Sequence, residues 1–503
     1  MAENIVDTFI IGGGINGVGV AADLAGRGLS VMLVEKSDLA SATSSWSSKL
    51  IHGGLRYLEH FEFRLVKESL RERRVLLSNA PHLVKPLKFV MPYHRQLRPA
   101  WLIRLGLFLY DFLDGSDTLP RCKGVQFEEN DKNPLNHTYK KGFEYYDCKV
   151  DDARLVVSVA KLAEQFGAKI LTRTRFVRAY RARDLWHITI EHEDKQTESI
   201  KARSVINVAG PWVEEVENEG FNIEAKGSVR LIKGSHIVVP KLYDGDHAYI
   251  LQHRDGRVIF VIPFERHYSL IGTTDVPYEG DPGKVEISEE EVSYLCSAVN
   301  AYFKHAISPD HVVWSYAGVR PLKNDGQSAA AKVTRDYSFE MTDQDNKAPL
   351  LTVIGGKLTT YRKLAEAACE RLRPYFPQMK KSWTATHAIP GGELKSVSFA
   401  EYTQKIATRF PWLPENIRTR YLNHYGNNIE LLLQTAQSLD DLGEHFGAGL
   451  YQREIEYLVK HEWAKSADDI LWRRTKLGLH LPQANRRRVA DWLVEKRAAE
   501  VKA

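Results

Sequence analysis

Along the first forty residues the apolar positions change period three times. "IVDTFIIG", residues 5 to 12, is a near-continuous apolar run; "GGGINGVG" interrupts it with glycines; "VAADLAGRG" carries small residues on a helical period; "LSVMLVE" is a second apolar run closing at Glu35. Short apolar runs bounded by glycine turns mark strands buried on both faces, so residues 5 to 35 predict a strand–helix–strand unit. "ARSVINVAGPWV" (202 to 213) and "APLLTVIGGKLTTYRKLAEAA" (348 to 368) repeat the strand-then-small-residue grammar. In the second, a helix follows Gly355 and Gly356, with Thr359 or Thr360 placed to cap it. Both segments are equally at home in an ordinary α/β core.

Between these segments the pattern shifts toward alternation. "VRLIKGSHIVVP", "AYILQH", "VIFVIPFE" and "YSLIGTTDV" within residues 228 to 275 predict antiparallel strands, with Asp255-Gly256 as a hairpin turn. From about Ser396 onward, as in "REIEYLVKHEWAKSADDILWRRTKLGL", apolar residues recur on a helical period after the turn-rich "IPGGELKS". The fold class these patterns predict is α/β with α+β: a strand–helix–strand unit at the start, an antiparallel sheet over 228 to 275 and a helical domain from about Ser396.

Composition narrows the function classes. The 503 residues exceed what one hydrophobic core usually serves, which agrees with two or three domains. A formal net charge of +5 is small for this length; it suits anionic surfaces or acidic substrates and gives little support to nucleic-acid binding. Cys122, Cys148, Cys296 and Cys369 form no C-x-x-C pair and read as isolated thiols of a reducing compartment. "MAENIVDTFIIGGG" enters a strand at once, without a signal-peptide pattern, so the cytoplasm or its membrane face is expected. "RPAWLIRLGLFLYDFLDG", residues 98 to 115, is too short an apolar stretch to span a bilayer. It reads either as an interfacial helix with Trp101 near the headgroups or as a core or dimer-interface helix. "FRLVKESLRERRVLL", residues 63 to 77, is basic on one face and reads as a solvated helix packed on the core, with lipid contact as the alternative.

The candidate chemistry begins at the glycines. Gly12, Gly14 and Gly17 satisfy G-x-G-x-x-G between a strand and a helix, and Glu35 closes the next strand at the distance of a ribose-binding acid. Such a turn brings backbone amides onto a pyrophosphate at a helix N-terminus. Shortly afterwards "SSKLIHGGLRYLEH", residues 47 to 60, concentrates an imidazole, a guanidinium and a phenol around two glycines, more than a connection requires.

The blocks "GGGINGVG", "SSKLIHGGLRYLE", "KGSHIVVP", "IGTTDV", "GVRPL" and "GGKLTTYRKLAE", in this order over nearly the whole chain, resemble those of the bacterial FAD-dependent, quinone-linked glycerol-3-phosphate dehydrogenases. The resemblance implies a Rossmann-type FAD-binding domain assembled from discontinuous segments (1–80, 148–215 and 335–385), an antiparallel-sheet substrate-capping domain (81–147 and 216–334) and a C-terminal all-helical domain (396–503). It also implies noncovalent FAD, oxidation of sn-glycerol 3-phosphate to dihydroxyacetone phosphate, and electron delivery to ubiquinone or menaquinone. It implies a homodimer bound peripherally to a membrane lipid surface at the cytoplasmic face of the inner membrane, partly cytoplasmic, with no metal and no nucleic acid. Cofactor contacts are implied at Gly12, Gly14, Ile15, Asn16, Gly17, Glu35, Thr43, Ser44, Ser48, Lys49, Gly210, Gly355, Gly356, Leu358 and Thr359.

Arg56 and Arg320 are the candidate forks for a phosphate, with Lys357 binding phosphate or polarising the reacting oxygen. His52 is the first candidate for proton transfer, because imidazole titrates near neutral pH. Tyr57, Thr274 and His236 are expected to orient substrate or close the pocket; a core tyrosine, a hairpin threonine and a buried histidine are the plainer readings. The rivals are an amino-acid oxidase or amine dehydrogenase of the same superfamily, a flavin-free escort protein and an NAD-linked dehydrogenase. The retained glycines with Glu35, and several cations suited to a dianion, weigh against them.

Overall fold

The computed structural model describes residues 5–94, 99–116, 118–224, 227, 229–253, 255–324, 336–395 and 397–502, without the side chains of Arg56, Glu59, His60 and 499–502. The chain begins β1 (Ile5–Ile11), α1 (Ile15–Gly26), β2 (Val31–Glu35) and the short β3 (Leu50–Ile51). There follow α2 (Phe63–Asn79), β4 (Val84–Tyr93), α3 (Ala100–Asp114), β5 (Lys123–Gln126), β6 (Lys141–Val150), α4 (Asp152–Gln165), β7 (Lys169–Thr172), β8 (Arg175–Ala182), β9 (Leu185–Glu191) and β10 (Thr197–Asn207). The second half contributes β11 (Val229–Pro240), β12 (Ala248–Gln252), β13 (Val258–Phe264), β14 (Tyr268–Gly272), β15 (Val276–Pro277), β16 (Trp314–Lys323), β17 (Ser338–Gln344) and β18 (Lys347–Ile354).

The first sheet has the order β17-β18-β10-β1-β2-β7, with β8 and β9 reached through β10. β1 pairs in parallel with β10 and β2, and β10 with β18, so three distant parts of the chain share one sheet. β10 explains how. Its first half pairs antiparallel with β9 and alternates in burial, while its last four residues are all buried where β1 and β18 flank it. One face is covered by α1, α4 and the helix Tyr361–Leu372, the other by residues of β8 and β9 such as Phe176 and Trp186.

The second sheet runs β15-β11-β14-β13-β12-β4-β6-β3, with β16 on β11 and β5 on β6. All its pairs are antiparallel except β12 with β4. The four runs expected between 228 and 275 are its strands β11 to β14. Leu50–Ile51, read in sequence as part of the nucleotide-binding segment, belongs to this sheet: it pairs with Lys149 and Cys148, which stitches the two halves together. α2 and α3 pack through Val66, Leu70, Leu107 and Tyr110 on one face, and the helix Glu289–Asn300 covers the other. α2 is therefore a core-packed helix with a solvated basic side.

The C-terminal part has its own apolar core, including Ile406, Tyr421, Leu432 and Leu458. It is not all helical. A two-stranded ribbon, His445–Gly447 with Leu450–Tyr451, turns through Gly447, Ala448 and Gly449, all at positive φ. This domain docks through buried ion pairs: Arg474 reaches Asp38 at 2.5 Å, Lys476 reaches Asp151 at 2.5 Å, and Arg154 pairs with Glu462.

Candidate cofactor and active site

Gly12, at φ +117°, lies so close to β10 that a Cβ would meet Val208 O at 2.6 Å, and a Cβ on Gly17 would collide with Gly12 O. The turn is thus closed on itself, leaving the N-terminus of α1 facing a cavity of about 860 Å³. Of the residues named from sequence, Gly12, Gly14, Glu35, Thr43, Ser44 and Gly210 line that cavity. Glu35 accepts from Gly13 N–H (2.7 Å) and Ser37 N–H (2.8 Å); burial pushes its carboxyl above the ordinary range and these two donors pull it back. Ser44 Oγ accepts from Ile15 N–H at 3.0 Å, and Thr43 Oγ1 donates to Val319 O at 2.6 Å, which ties the cofactor loop to β16 one residue before Arg320. An amide-rich turn at a helix N-terminus, an acid at the end of β2 and a roomy cavity between them fit a dinucleotide such as FAD.

The second group of residues lies where the two sheets meet. Asn16 Nδ2 donates to Gly355 O at 3.1 Å and would clash with a Cβ on Gly356, so the start of α1 and the Gly355–Gly356 turn are held together. Neither Thr359 nor Thr360 caps the helix Tyr361–Leu372 through its side chain: a short 3₁₀ turn, Leu358–Thr360, leads into it. Thr359 Oγ1 instead accepts from His52 N–H at 3.2 Å, fixing the loop that carries the imidazole. Lys357 Nζ stands 3.9 Å from the centroid of the Tyr57 ring. Arg320 pairs with Asp275 at 2.7 Å and donates to Thr274 O at 3.0 Å, and a methyl on Gly234 would sit on its guanidinium. Gly234 and Asp275 escape the sequence reading, although both lie inside the blocks "KGSH" and "GTTDV". Arg56 falls on the 3₁₀ turn Leu55–His60, and its side chain lies outside the described residues.

Two of the expected site residues have their side chains engaged within the protein. The Thr274 hydroxyl, expected near substrate, is spent internally: it accepts from Ser235 N–H at 2.9 Å and donates to Glu291 at 2.7 Å, so Thr274 acts on Arg320 only through its carbonyl. Lys49, expected at the cofactor, is 6 % exposed, pairs with Asp152 at 2.9 Å and donates to Ser45 O, and it lines a different cavity. Its neighbour Ser48 meets His236 Nε2 at 2.9 Å. His236 is 2 % exposed and stacked on Tyr316; burial, with Lys49 and Arg320 nearby, holds its ring far below the ordinary histidine value and so neutral.

Residues 7–362 match the family model described as FAD dependent oxidoreductase, and 382–497 the C-terminal domain of alpha-glycerophosphate oxidase. The chain is 52% identical to a glycerol-3-phosphate dehydrogenase of Pseudomonas aeruginosa, over 97% of this chain and 95% of that one. It is 50% identical to the aerobic glycerol-3-phosphate dehydrogenase of Escherichia coli (97% of each) and 48% identical to the D-erythritol 1-phosphate dehydrogenase of Brucella abortus (98% of each). Among solved structures, the glycerol-3-phosphate dehydrogenase of Bacillus halodurans complexed with FAD superposes with a TM-score of 0.73 at 26% identity, covering 98% of this chain and 95% of that one. With a glycine turn and cavity that fit FAD, and with these matches along its length, the chain belongs to the FAD-dependent oxidoreductase family that includes the glycerol-3-phosphate dehydrogenases, and FAD is its cofactor.

Proposed function

We propose that this protein oxidises sn-glycerol 3-phosphate to dihydroxyacetone phosphate and passes the electrons to a membrane quinone, in support of glycerol catabolism and respiration. The observation that carries the reading is the near-full-length similarity to two glycerol-3-phosphate dehydrogenases. The arrangement of cations agrees with it. Arg320, oriented by Asp275 and Thr274 O, presents a fork suited to a phosphate, and Lys357 follows the Gly355–Gly356 turn, where a Cβ on Gly355 would stand 3.7 Å from Pro321 O, one residue past Arg320. Arg56 is assigned a second fork from its place in the sequence block alone.

When bound, FAD supplies the two-electron acceptor. The chain's own residues orient the secondary alcohol and remove its proton. His52 is the acceptor of the hydroxyl proton in this reading, because the other nearby imidazole, His236, is held neutral by burial and two cations and makes a weak base. Lys357 stabilises charge growing on the substrate oxygen.

Quinone reduction needs a route to the bilayer, and no helix among the described residues is long and apolar enough to cross it. α3 offers another kind of contact: Trp101, Leu105, Phe108 and Phe112 form one exposed stripe, with Leu102 beside it. A peripheral place on the cytoplasmic face of the inner membrane and a homodimer complete the proposal; light scattering tests the dimer.

A second substrate reading has specific support. The D-erythritol 1-phosphate dehydrogenase is nearly as similar as the glycerol-3-phosphate enzymes, and its substrate pairs the same phosphate with a longer polyol. Anaerobic titration of the FAD-loaded protein separates the two. Flavin bleaching by sn-glycerol 3-phosphate at lower concentration than by D-erythritol 1-phosphate, with colour restored by a soluble ubiquinone analogue, is expected. The reverse order moves the assignment to the tetritol phosphate, and no bleaching by either removes both.

A further inference from the structure

A second cavity, of about 530 Å³, opens where the second sheet meets the C-terminal domain, and it has no part in the reaction described above. Three cations in its wall are already neutralised: Lys49 by Asp152, Lys476 by Asp151 and Arg420 by Glu454. Lys85 and Lys149 are different. They stand directly opposite each other across the antiparallel β4–β6 pair, an arrangement in which like charges destabilise a sheet. Neither has a carboxylate partner among the described residues; Lys85 donates only to the amide oxygen of Asn423, on the C-terminal helix Glu415–Tyr425. Burial, with Lys149 opposite, pulls the Lys85 amine down to about 8. His82, 1 % exposed, lines the same wall, and neither of its ring nitrogens has a hydrogen-bond partner. The His82 ring nitrogens are sealed behind the wall, with Nε2 turned toward Gly391, so the repelling lysine pair is what faces a space large enough for a small ligand.

We propose that this cavity binds a multiply charged phosphate anion, such as a phosphate monoester or pyrophosphate, held between Lys85 and Lys149. The anion turns a repelling pair into two charge-assisted contacts. It also joins the C-terminal domain, through the Asn423–Lys85 contact, to the strand opposite β3. Lys149 pairs with Leu50, two residues before His52, so the site borders the loop of the candidate proton acceptor without sharing its residues.

The test is calorimetric titration of the FAD-loaded full chain with pyrophosphate at ionic strength fixed by sodium chloride. One site is expected, weakened about ten-fold or more in Lys149→Gln, since a charge-assisted hydrogen bond carries roughly 1.5–3 kcal/mol. Lys85→Met is the second variant should the first lose its fold. Arg320→Gln should keep the affinity; loss there, with Lys149→Gln unaffected, would place the anion in the substrate site and overturn the proposal. So would the absence of binding above the chloride background. In phosphate-free buffer Lys149→Gln should melt no lower than the parent, because it removes repulsion; a clearly lower melting point would make Lys149 a structural residue and sink the idea. Vesicles containing phosphatidylglycerol form the last arm: retention that depends on Lys149 would make the source a lipid headgroup and overturn the assignment to a free anion.

Discussion

At the scale of single residues, the phosphate-binding proposal turns on how rigidly Arg320 is aimed. Its guanidinium is fixed from one side by Asp275 and Thr274 O and crowded from the other by the bare Cα of Gly234. Arg320→Lys keeps the charge and loses the planar fork, so kcat/KM for glycerol 3-phosphate should fall ten- to hundred-fold, about 1.5–3 kcal/mol, with FAD retained. Unchanged kinetics in that variant would remove Arg320 from the phosphate site. Gly234→Ala is the subtler probe. The atoms in the way are the far end of the Arg320 side chain and the Thr273 hydroxyl, both side-chain groups that can turn aside, so the fold survives. A raised KM with a nearly unchanged melting point is expected. Gly17→Ala contrasts with it, because the obstacle there is the backbone oxygen of Gly12, which cannot move without opening the turn. That variant should purify without flavin, as its absorbance spectrum will show.

At the scale of elements, α3 shows what a sequence pattern can and cannot say. The apolar face is plain in residues 98–115, but periodicity alone does not tell which side of a nearly all-apolar helix meets the protein. Packing decides it: Leu107, Tyr110 and Asp114 are buried, the Tyr110 hydroxyl donates to Asp147 and accepts from Gly53 N–H, and Trp101, Phe108 and Phe112 stay 68, 64 and 72 % exposed. An exposed stripe of this size rarely occurs without a partner. Phe108→Ser with Phe112→Ser should abolish co-sedimentation with phosphatidylglycerol vesicles while leaving the flavin spectrum intact, each phenylalanine being worth roughly 1.5–3 kcal/mol on burial. Full retention on vesicles would turn the stripe into an interface between copies. The strand–helix–strand start was legible because its periods are sharp and its glycines sit at the boundaries. β3 was not, since two residues carry no period and only Lys149 and Cys148, far along the chain, make them a strand. The C-terminal ribbon did leave a signal, "FGAGL", which the strong helical periods around it masked. Asp275 gave none as a partner of Arg320, because an ion pair between a connecting loop and a distant strand has no sequence spacing.

At the scale of the whole molecule, buried neutral histidines make the fold sensitive to mild acid. His82 faces Arg154, Lys85 and Lys161; burial first, and then those cations, lower it from 6.5 to about 3. His236 and His424 are held well below the ordinary value, chiefly by burial, although Asp151 beside His424 works the other way. In the unfolded chain each ring takes up a proton near pH 6.5. Between that pH and the depressed folded values the unfolded state therefore binds more protons, so stability is complete above pH 6.5 and falls as pH drops below it. The slope is at most about 1.4 kcal/mol per pH unit for each histidine. Glu35 and Asp147, whose carboxyls burial pushes up, act in the opposite sense, so the informative quantity is a difference between variants. Urea denaturation of the FAD-loaded protein at pH 7.5 and pH 5.5 should give a lower midpoint in acid, and His82→Leu should reduce that loss by about the share of one proton. Because His82 sits at the junction held by the Lys85–Asn423 contact, the acid-induced loss should appear first as release of the C-terminal domain, read by limited proteolysis between the two matched regions. An acid loss identical in parent and His82→Leu would mean that the ring is already charged in the folded protein, with an anion or water beside it.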